Sequence, residues 1–383
     1  MRYKMFRKAS KGLLKLSDGT CIEGLLLNEK LSNTHFFSVS YATNQLGYQE
    51  AITDPSYKGQ LLVLTSPHIG STGINKKLNE SDEIHIRGLV LSSLEPGYGH
   101  HSSESDTLKW LENKVPVLHS VDTRSLALYL RKNRNTLQGS ITEEGNNNQL
   151  VLIEDAENWD GKIETSEYSC NKDYVLLIDF GCKKSIESEI ANSGLAFVKS
   201  SIQEAFSLSI SRNISAVIFS NGPGNPTDVY ARFVPQINKL LSLDIPILGI
   251  CMGFQLIALA YGAKIKRMDF SHNSTNHPII DYNDNKVLVT THNHMYCIDE
   301  SISQSQEVEI THRSLVDGVI EGIKIKNRKI AGYQFHPEAG PGPSDSLNLL
   351  QNFLNGVKLD AETKKHKKYS HNRFRSYCHR SGL

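Results

Sequence analysis

The chain has 383 residues, 39% hydrophobic and 22% charged, enough for two domains that each bury a core. Its 42 Lys and Arg nearly cancel its 41 Asp and Glu, so charge gives no reason to expect nucleic acid or an anionic membrane as the main partner. No apolar run reaches a membrane span of roughly 18 residues, MRYKMFRKASKG lacks the apolar core of a secretion signal, and the six cysteines have no CxxC spacing. An intracellular or organellar protein with free thiols is expected.

The first stretch, KGLLKLSDGTCIEGLLLN, alternates apolar and polar residues around Ser17-Asp18-Gly19 and predicts a β-hairpin. QLLVLTSP (60–67) and IHIRGLVLSS (84–93) read as strands; 102–113 and 122–133 read as amphipathic helices opened by caps such as Asp122. This irregular mixture predicts an α+β domain over 1–150, followed by a polar connection over 151–172. From Tyr174 the pattern becomes regular, each strand (YVLLIDF, LAFVKS, AVIFS, IPILGI) alternating with a helix, which predicts a doubly wound, mostly parallel sheet over 173–358. Two later segments, KVLVTTHNHMY and IKIKNRKIAGYQFHPE, read as antiparallel strands, and a helix over 346–356 closes the domain. Residues 359–383 form a basic tail, read as solvated.

The chemistry centres on IPILGICMGFQLIALAYGA (245–263). Its first half is a short branched strand; Phe254, Ile257, Ala258 and Tyr261 then recur at helical spacing. Cys251 falls on the turn between them, inside GxCxG, the thiol counterpart of the strained strand-turn-helix that exposes a nucleophile in GxSxG enzymes. A helix N-terminus there stabilises a thiolate. The SNGPGNP loop (220–226) falls at the same carboxyl edge of the sheet, where open α/β sheets bind ligands. A thiolate needs a base and the base an orienter, and His336 with Glu338 in FHPE, two residues apart at a strand end, supply both. Weaker signals carry less. His292 and His294 share a strand face, but no further ligand cluster accompanies them, so a hydrogen-bonding role is expected and no metal site is assigned. The DFG at 179–181 stands without the other kinase motifs and reads as a strand end; His100-His101 reads as exposed. No phosphate-binding GxxxxGK[ST] loop is present, and GPGNPT lacks the third glycine of a dinucleotide fingerprint, so nucleotide chemistry must come from another chain.

In this order and spacing, SNGPGNP, GICMGFQ and GYQFHPEAGPGPSD resemble the class I glutamine amidotransferases over 174–356. YATNQLGYQEAITDPSYKGQLLVLTSPHIGSTGIN and VDTRSLALYLR resemble the N-terminal domain of carbamoyl-phosphate synthase small subunits. The resemblance implies that Cys251 attacks the glutamine carboxamide, His336 carries the proton to the leaving ammonia, and Glu338 holds His336 in its productive tautomer. Water then hydrolyses a glutamyl thioester. The resemblance also places glutamine contacts at Asn44, Gly222, Gly224, Met252, Gln255, Asn293, Met295 and Tyr296, with the oxyanion on the amides of Met252 and Gly222. It implies L-glutamine as substrate and a large subunit as partner, with ATP and Mg held by that subunit and no cofactor in this chain. The compartment it implies is a bacterial cytoplasm or a plastid stroma. The chain departs from the family's usual residues at Phe254 (His), Met295 (Gly) and Asn44 (Ser). Two rival readings are a stand-alone γ-glutamyl thiol hydrolase and a non-catalytic assembly subunit.

Overall fold

The structure is a computed structural model and describes residues 10–27, 31–95, 99–133, 137–145, 151–152, 166–168, 174–211 and 213–360. All but the first two residues of the expected basic tail lie outside them.

Eight strands form the first sheet: β1 (Ser10–Leu16), β2 (Cys21–Leu26), β3 (His35–Ala42), β4 (Leu61–Leu64), β5 (Gly88–Leu91), β6 (Val117–His119), β7 (Gln138–Glu143) and β8 (Val151–Leu152). The order is β4-β5-β6-β2-β1-β7-β3-β8, and β3 also pairs β4, so seven strands close on themselves. Period-two alternation divides the apolar residues between two cores. Leu14, Leu16, Val39, Leu61, Val63, Val90, Leu118 and Ile141 share one cluster. Leu62, Leu64, Leu89, Leu91 and Val117 turn to the other side, against α1 (Tyr48–Thr53) and α2 (Thr107–Leu111). Helix α2 is shorter than the 102–113 expected because it starts at its cap, Asp106, whose carboxylate accepts from Lys109 N. Asp122 caps α3 (Thr123–Lys132) in the same way, accepting from Ser125 N.

The second sheet has ten strands: β9 (Ser166–Tyr168), β10 (Tyr174–Ile178), β11 (Ala196–Ser200), β12 (Ile214–Phe219), β13 (Ile247–Ile250), β14 (Ile265–Asp281), β15 (Lys286–Ile298), β16 (Val308–Ser314), β17 (Ile320–Ile325) and β18 (Ile330–Tyr333). The order is β15-β14-β16-β17-β18-β13-β12-β10-β11-β9, with β18, β13, β12, β10 and β11 mutually parallel. Fully buried Val175, Leu177, Val217, Phe219, Ile247 and Leu248 put apolar side chains on both faces of this centre, as a sheet covered by helices requires. The helices are α4 (Lys184–Asn192), α5 (Ile202–Ser211), α6 (Pro226–Leu241) and α7 (Met252–Ala260); a further helix covers 347–360. Interior Pro235 removes a helix hydrogen bond from α6, which leaves helical geometry at Phe233.

Two features add to the sequence reading. Strand β18 is antiparallel to β17 but parallel to β13, so it belongs to the doubly wound centre rather than to the antiparallel wing. The ends of the expected connection also pair: β8 continues β3 of the first sheet, and β9 flanks β11 of the second.

Candidate active site

Strand β13 ends at Ile250 and α7 begins at Met252, leaving Cys251 between them at φ 53, ψ −103. A β-carbon makes that backbone region unfavourable by about 1–3 kcal/mol, so the surroundings must impose it. Three hydrogen bonds do: Cys251 N to Tyr333 O (2.8 Å), Gly253 N to Ser220 O (3.0 Å) and Gln255 N to Cys251 O (3.1 Å). Gly253 is required by packing, because a β-carbon there would sit 2.2 Å from the carbonyl oxygen of Phe219 in β12. The thiol is buried, with Sγ 3.7 Å from Asn293 O and 3.8 Å from Gln334 Nε2.

Because β18 lies parallel beside β13, the residues after Tyr333 emerge at the same edge as Cys251. Gln334 N donates to Glu321 O and His336 N to Thr291 O, both at 2.9 Å, drawing the segment across β17 and β15. His336 therefore sits three residues past the end of β18, held by an isolated bridge to Thr291, and not on the strand end the sequence suggested. Its Nδ1 meets Glu338 Oε1 at 2.7 Å. A buried lysine missed in the sequence, Lys183, reaches the same oxygen at 3.0 Å and also donates to Gly340 O, with Glu80 of the first domain 3.9 Å away. Burial opposes the charge on Glu338, but Lys183 and His336 outweigh it and hold the carboxyl down at about 2. Burial likewise opposes an imidazolium at His336, yet Glu338 outweighs burial and pushes it up to about 10, with Cys251 adding to the rise. Nε2 of His336 has no hydrogen bond of its own.

Lys183 arrives through the DFG stretch. Asp179 Oδ1 accepts from Gly181 N (2.7 Å) and Cys182 N (2.8 Å) just past β10, and Lys183 N donates to Asn221 Oδ1 (3.1 Å) beside the SNGPG loop. In that loop a β-carbon on Gly222 would meet Phe180 O at 2.0 Å, so only glycine fits.

The space beside Cys251 is a narrow slot, about 30 Å³ to the centre of a water-sized sphere. Gly222, Gly224, Met252, Gln255, Asn293, Met295 and Tyr296 all line it, and the first domain adds Ser56 and Gln60. Asn44 is not among its walls; it is half-buried, and its Oδ1 has no hydrogen-bond partner. Met252 opens α7, so its amide has no acceptor within the helix. Gln255 Nε2 donates to Tyr296 O (2.8 Å) and Gln334 Oε1 (2.9 Å), tying α7 to β15. Phe254 is fully buried in the apolar core, against Gly332, and does not reach the slot. Its departure from the family residue is therefore a matter of core packing. A larger cleft, about 370 Å³, lies in the first domain around Gly47 and Gly73, away from the thiol.

The first domain braces the site directly. Asp54 accepts from Asn293 Nδ2 (2.9 Å), Ser56 Oγ bonds Asn221 Nδ2 (2.9 Å), and Glu80 Oε2 accepts from Ser185 N (3.0 Å) and Ser185 Oγ (2.8 Å). None of these partners carried a signal in the sequence, since each is a single polar residue whose role depends on a contact more than a hundred residues away.

The expectation that no ligand cluster accompanies His292 and His294 is overturned. Strand β14, which the sequence reading passed over, brings His272 beside them, and β17 brings Glu321; all four are buried, with donor atoms within 4.8 Å of one another. Distance along the chain hid this group, since only sheet pairing assembles it.

A doubly wound sheet with a strained cysteine at one strand end and a His-Glu pair at the next has the architecture of a class I glutamine amidotransferase. The family described as glutamine amidotransferase class-I matches residues 176–356, and the carbamoyl-phosphate synthase small chain, CPSase domain, matches 14–141. Carbamoyl phosphate synthase small chains of Wigglesworthia glossinidia brevipalpis and Caldanaerobacter subterraneus are each 36% identical, covering 91% of this chain and 96% and 97% of theirs. The small chain of Escherichia coli K12 is 32% identical over 92% of this chain and 99% of its own. The chain belongs to the carbamoyl phosphate synthase small chain family. No described helix is long and apolar enough to cross a membrane.

Proposed function

We propose that this chain is the glutaminase subunit of a glutamine-dependent carbamoyl-phosphate synthase, in which Cys251 takes the γ-glutamyl group of glutamine and the ammonia passes to a large subunit. The observation that carries the reading is that Cys251, at φ 53, lines a slot with walls from both domains while the buried His336–Glu338 pair lies close enough for the thiol to raise the imidazole. In this reading the thiolate adds to the carboxamide carbon, and the Met252 and Gly222 amides receive the oxyanion. His336, held protonated by Glu338, gives its proton to the departing nitrogen, so ammonia leaves and a thioester remains. His336 then takes a proton from water, which attacks the thioester, releases glutamate and regenerates the thiol. Glu338 does not leave its charged state; Lys183 compensates it throughout.

The absence of a phosphate-binding loop from the sequence supports ATP and Mg on the large subunit, which joins ammonia to bicarbonate. The bacterial relatives support a cytoplasmic setting. The slot is too narrow for glutamine unless its walls part, and those walls come from both domains, so a partner that shifts the domain angle also gates the site. A misplacement of about 1 Å changes rates about a hundredfold. The test is to titrate large subunit with ATP and bicarbonate into this chain and follow glutamate and carbamoyl phosphate together. Both should rise in step. Glutamate release already maximal without partner would instead favour a stand-alone hydrolase.

A further inference from the structure

His294, which lines the slot beside Cys251, belongs to a buried group with His272, His292 and Glu321. We infer that these four residues bind one divalent transition-metal ion, zinc by their chemistry, in a closed structural site that pins β14, β15 and β17 together. The site is independent of the glutaminase reading.

The proton inventory carries the argument. His294 Nδ1 meets the carbonyl oxygen of Tyr296 at 3.0 Å, and a carbonyl only accepts, so Nδ1 holds the proton and Nε2 turns a lone pair inward. Thr290 Oγ1 lies 3.1 Å from His277 O and 2.7 Å from His292 Nε2; with its proton on the carbonyl it accepts from Nε2 and leaves His292 Nδ1 bare, the tautomer a metal selects. Asp317 takes the proton of His272 Nε2 at 2.9 Å, leaving His272 Nδ1 facing Glu321 at 3.2 Å. Each inward nitrogen is thus aimed by a hydrogen bond on the opposite side of its ring, the arrangement that orients metal-binding histidines. The inward nitrogens of His292 and His294 lie only 3.2 Å apart, and in this tautomer both are lone pairs that a cation between them would satisfy.

Glu321 completes the set. It is fully buried, neither of its oxygens makes a hydrogen bond, and the same holds for His272 Nδ1 despite the short distance between them. A carboxylate buried in this way is strongly unfavourable unless a cation sits against it. An imidazolium at His272 would face Oε1 but leave Oε2 of Glu321 without a hydrogen bond. One metal ion satisfies all four groups. The spacing is near that of a metal site: His292 Nδ1 and His294 Nε2 are 3.2 Å apart, Glu321 Oε1 is 3.2 Å from His272 Nδ1 and 3.8 Å from His294 Nε2, and all four donors lie within 4.8 Å, against about 3.3 Å between donors placed tetrahedrally at about 2.0–2.1 Å from zinc. Three imidazoles and one carboxylate select zinc or a similar divalent ion over magnesium or calcium. With four protein donors no position remains open, so the ion holds structure.

The experiment uses the untagged full-length chain, stripped with a chelator and reloaded with Zn(II) or Co(II). Bound metal is read by elemental analysis and by competition with a chromophoric chelator. The expected result is one tight equivalent per chain, a Co(II) form with the intense visible bands of four-coordinate geometry, and a melting temperature raised by zinc. Glu321→Gln and His292→Gln should each weaken that equivalent by more than about 100-fold, and Asp317→Asn, at a half-exposed position that only orients His272, by about 10–100-fold. If the first two variants fail to fold, the Co(II) spectrum of the unaltered chain and the Asp317→Asn titration still decide. The inference is overturned if no tight equivalent binds, if Co(II) gives only weak six-coordinate bands, or if the equivalent persists undiminished in the variants, which would put the metal elsewhere, such as the histidine-bearing tail.

Discussion

Two glutamates are buried beside histidines, Glu321 on β17 and Glu338 just past β18, and they meet different fates. Glu338 shares one oxygen between Lys183 and His336, and its carboxyl is held down at about 2. Among the described residues Glu321 faces no lysine or arginine; His272, shared with Asp317, lowers its carboxyl, but burial outweighs it and pushes the carboxyl up to about 7. The same residue type, buried in both places, is a fixed charge in one and a weakly compensated one in the other. A lysine stands against the first and not the second. A buried carboxylate with its own ammonium can serve as a permanent orienter of an imidazole, whereas one without it waits for a cation from outside.

The largest way to break the Glu338 side of this comparison is at the nucleophile. Cys251→Ser should lower glutamine hydrolysis by about 10⁴-fold or more while the fold, read by thermal melting, stays intact, because a hydroxyl is far less ionised than a thiol. A serine variant running near the normal rate would remove Cys251 from the mechanism.

Next come the two groups that manage the proton. His336→Asn should lower turnover by about 10²–10⁴-fold, and Glu338→Gln less. In logarithmic terms the double variant should lose less than the sum of the single losses, since Glu338 acts only through His336. Glu338→Gln also takes away the charge that pushes His336 up, so the alkaline limb of kcat/KM should move to lower pH. The sign for stability follows from the lowered carboxyl. Its contribution is complete above the ordinary 4.5 and disappears as pH falls through about 2, so the stability gap between the normal chain and Glu338→Gln should close on acidification. A gap that stays constant between pH 5 and 2 would detach Glu338 from the ion pair.

The sequence showed one of the two clusters and hid the other. GxCxG and FHPE are local patterns, each readable because the residues that act are neighbours in the chain, and strand-helix alternation placed both on the same sheet edge. The alternation of the second domain was legible for the same reason. Strand β14 was not: MDFSHNSTNHP is polar and unpatterned, because its 17 residues are held by pairing with β15 and β16 rather than by burial of one face. With that strand unseen, His272 had no place, and the metal-ligand spacing around His292 and His294 stayed invisible. Lys183 was equally hidden, since it stands beside the partly exposed Lys184 in the same run and only the fold buries one of them. The closed first sheet escaped because its parallel pairs, β3 with β4 and β4 with β5, join strands whose connections show no regular helix pattern.

Phe254 and Met295 sharpen the comparison from the substrate side. Both stand at positions where the sequence departs from the resemblance, but only Met295 lines the slot. Met295→Gly should therefore lower KM for glutamine several-fold with little change in kcat. Phe254→His puts an imidazole without a partner into a sealed apolar core and should destabilise the fold by about 2–4 kcal/mol, seen as a lower melting temperature. A Phe254→His chain of normal stability with improved KM would mean that this side chain reaches the substrate after all.

The smallest effect tests how the first domain reaches the site. Asp54 does two things at once: Oδ1 caps the Pro55–Tyr57 turn through Ser56 N, and Oδ2 holds Asn293, the residue between His292 and His294, whose carbonyl lies 3.7 Å from Cys251 Sγ. Asp54→Ala removes both bonds, at about 1 kcal/mol for the cap and a similar amount for the bond to Asn293. It leaves Lys183, Glu338 and His336 bonded to one another, so the proton chemistry should survive. The expected result is a KM for glutamine raised about three- to tenfold, kcat within about twofold, and a weaker response to the large subunit, because the slot wall no longer follows the first domain. Asp54→Asn keeps the cap oxygen if its amide nitrogen turns toward Asn293, so it should restore melting temperature but not KM. Should both variants leave KM and the partner response untouched, the bracing of Asn293 by Asp54 would be structural only, and gating through the domain angle would have to run through Glu80 instead.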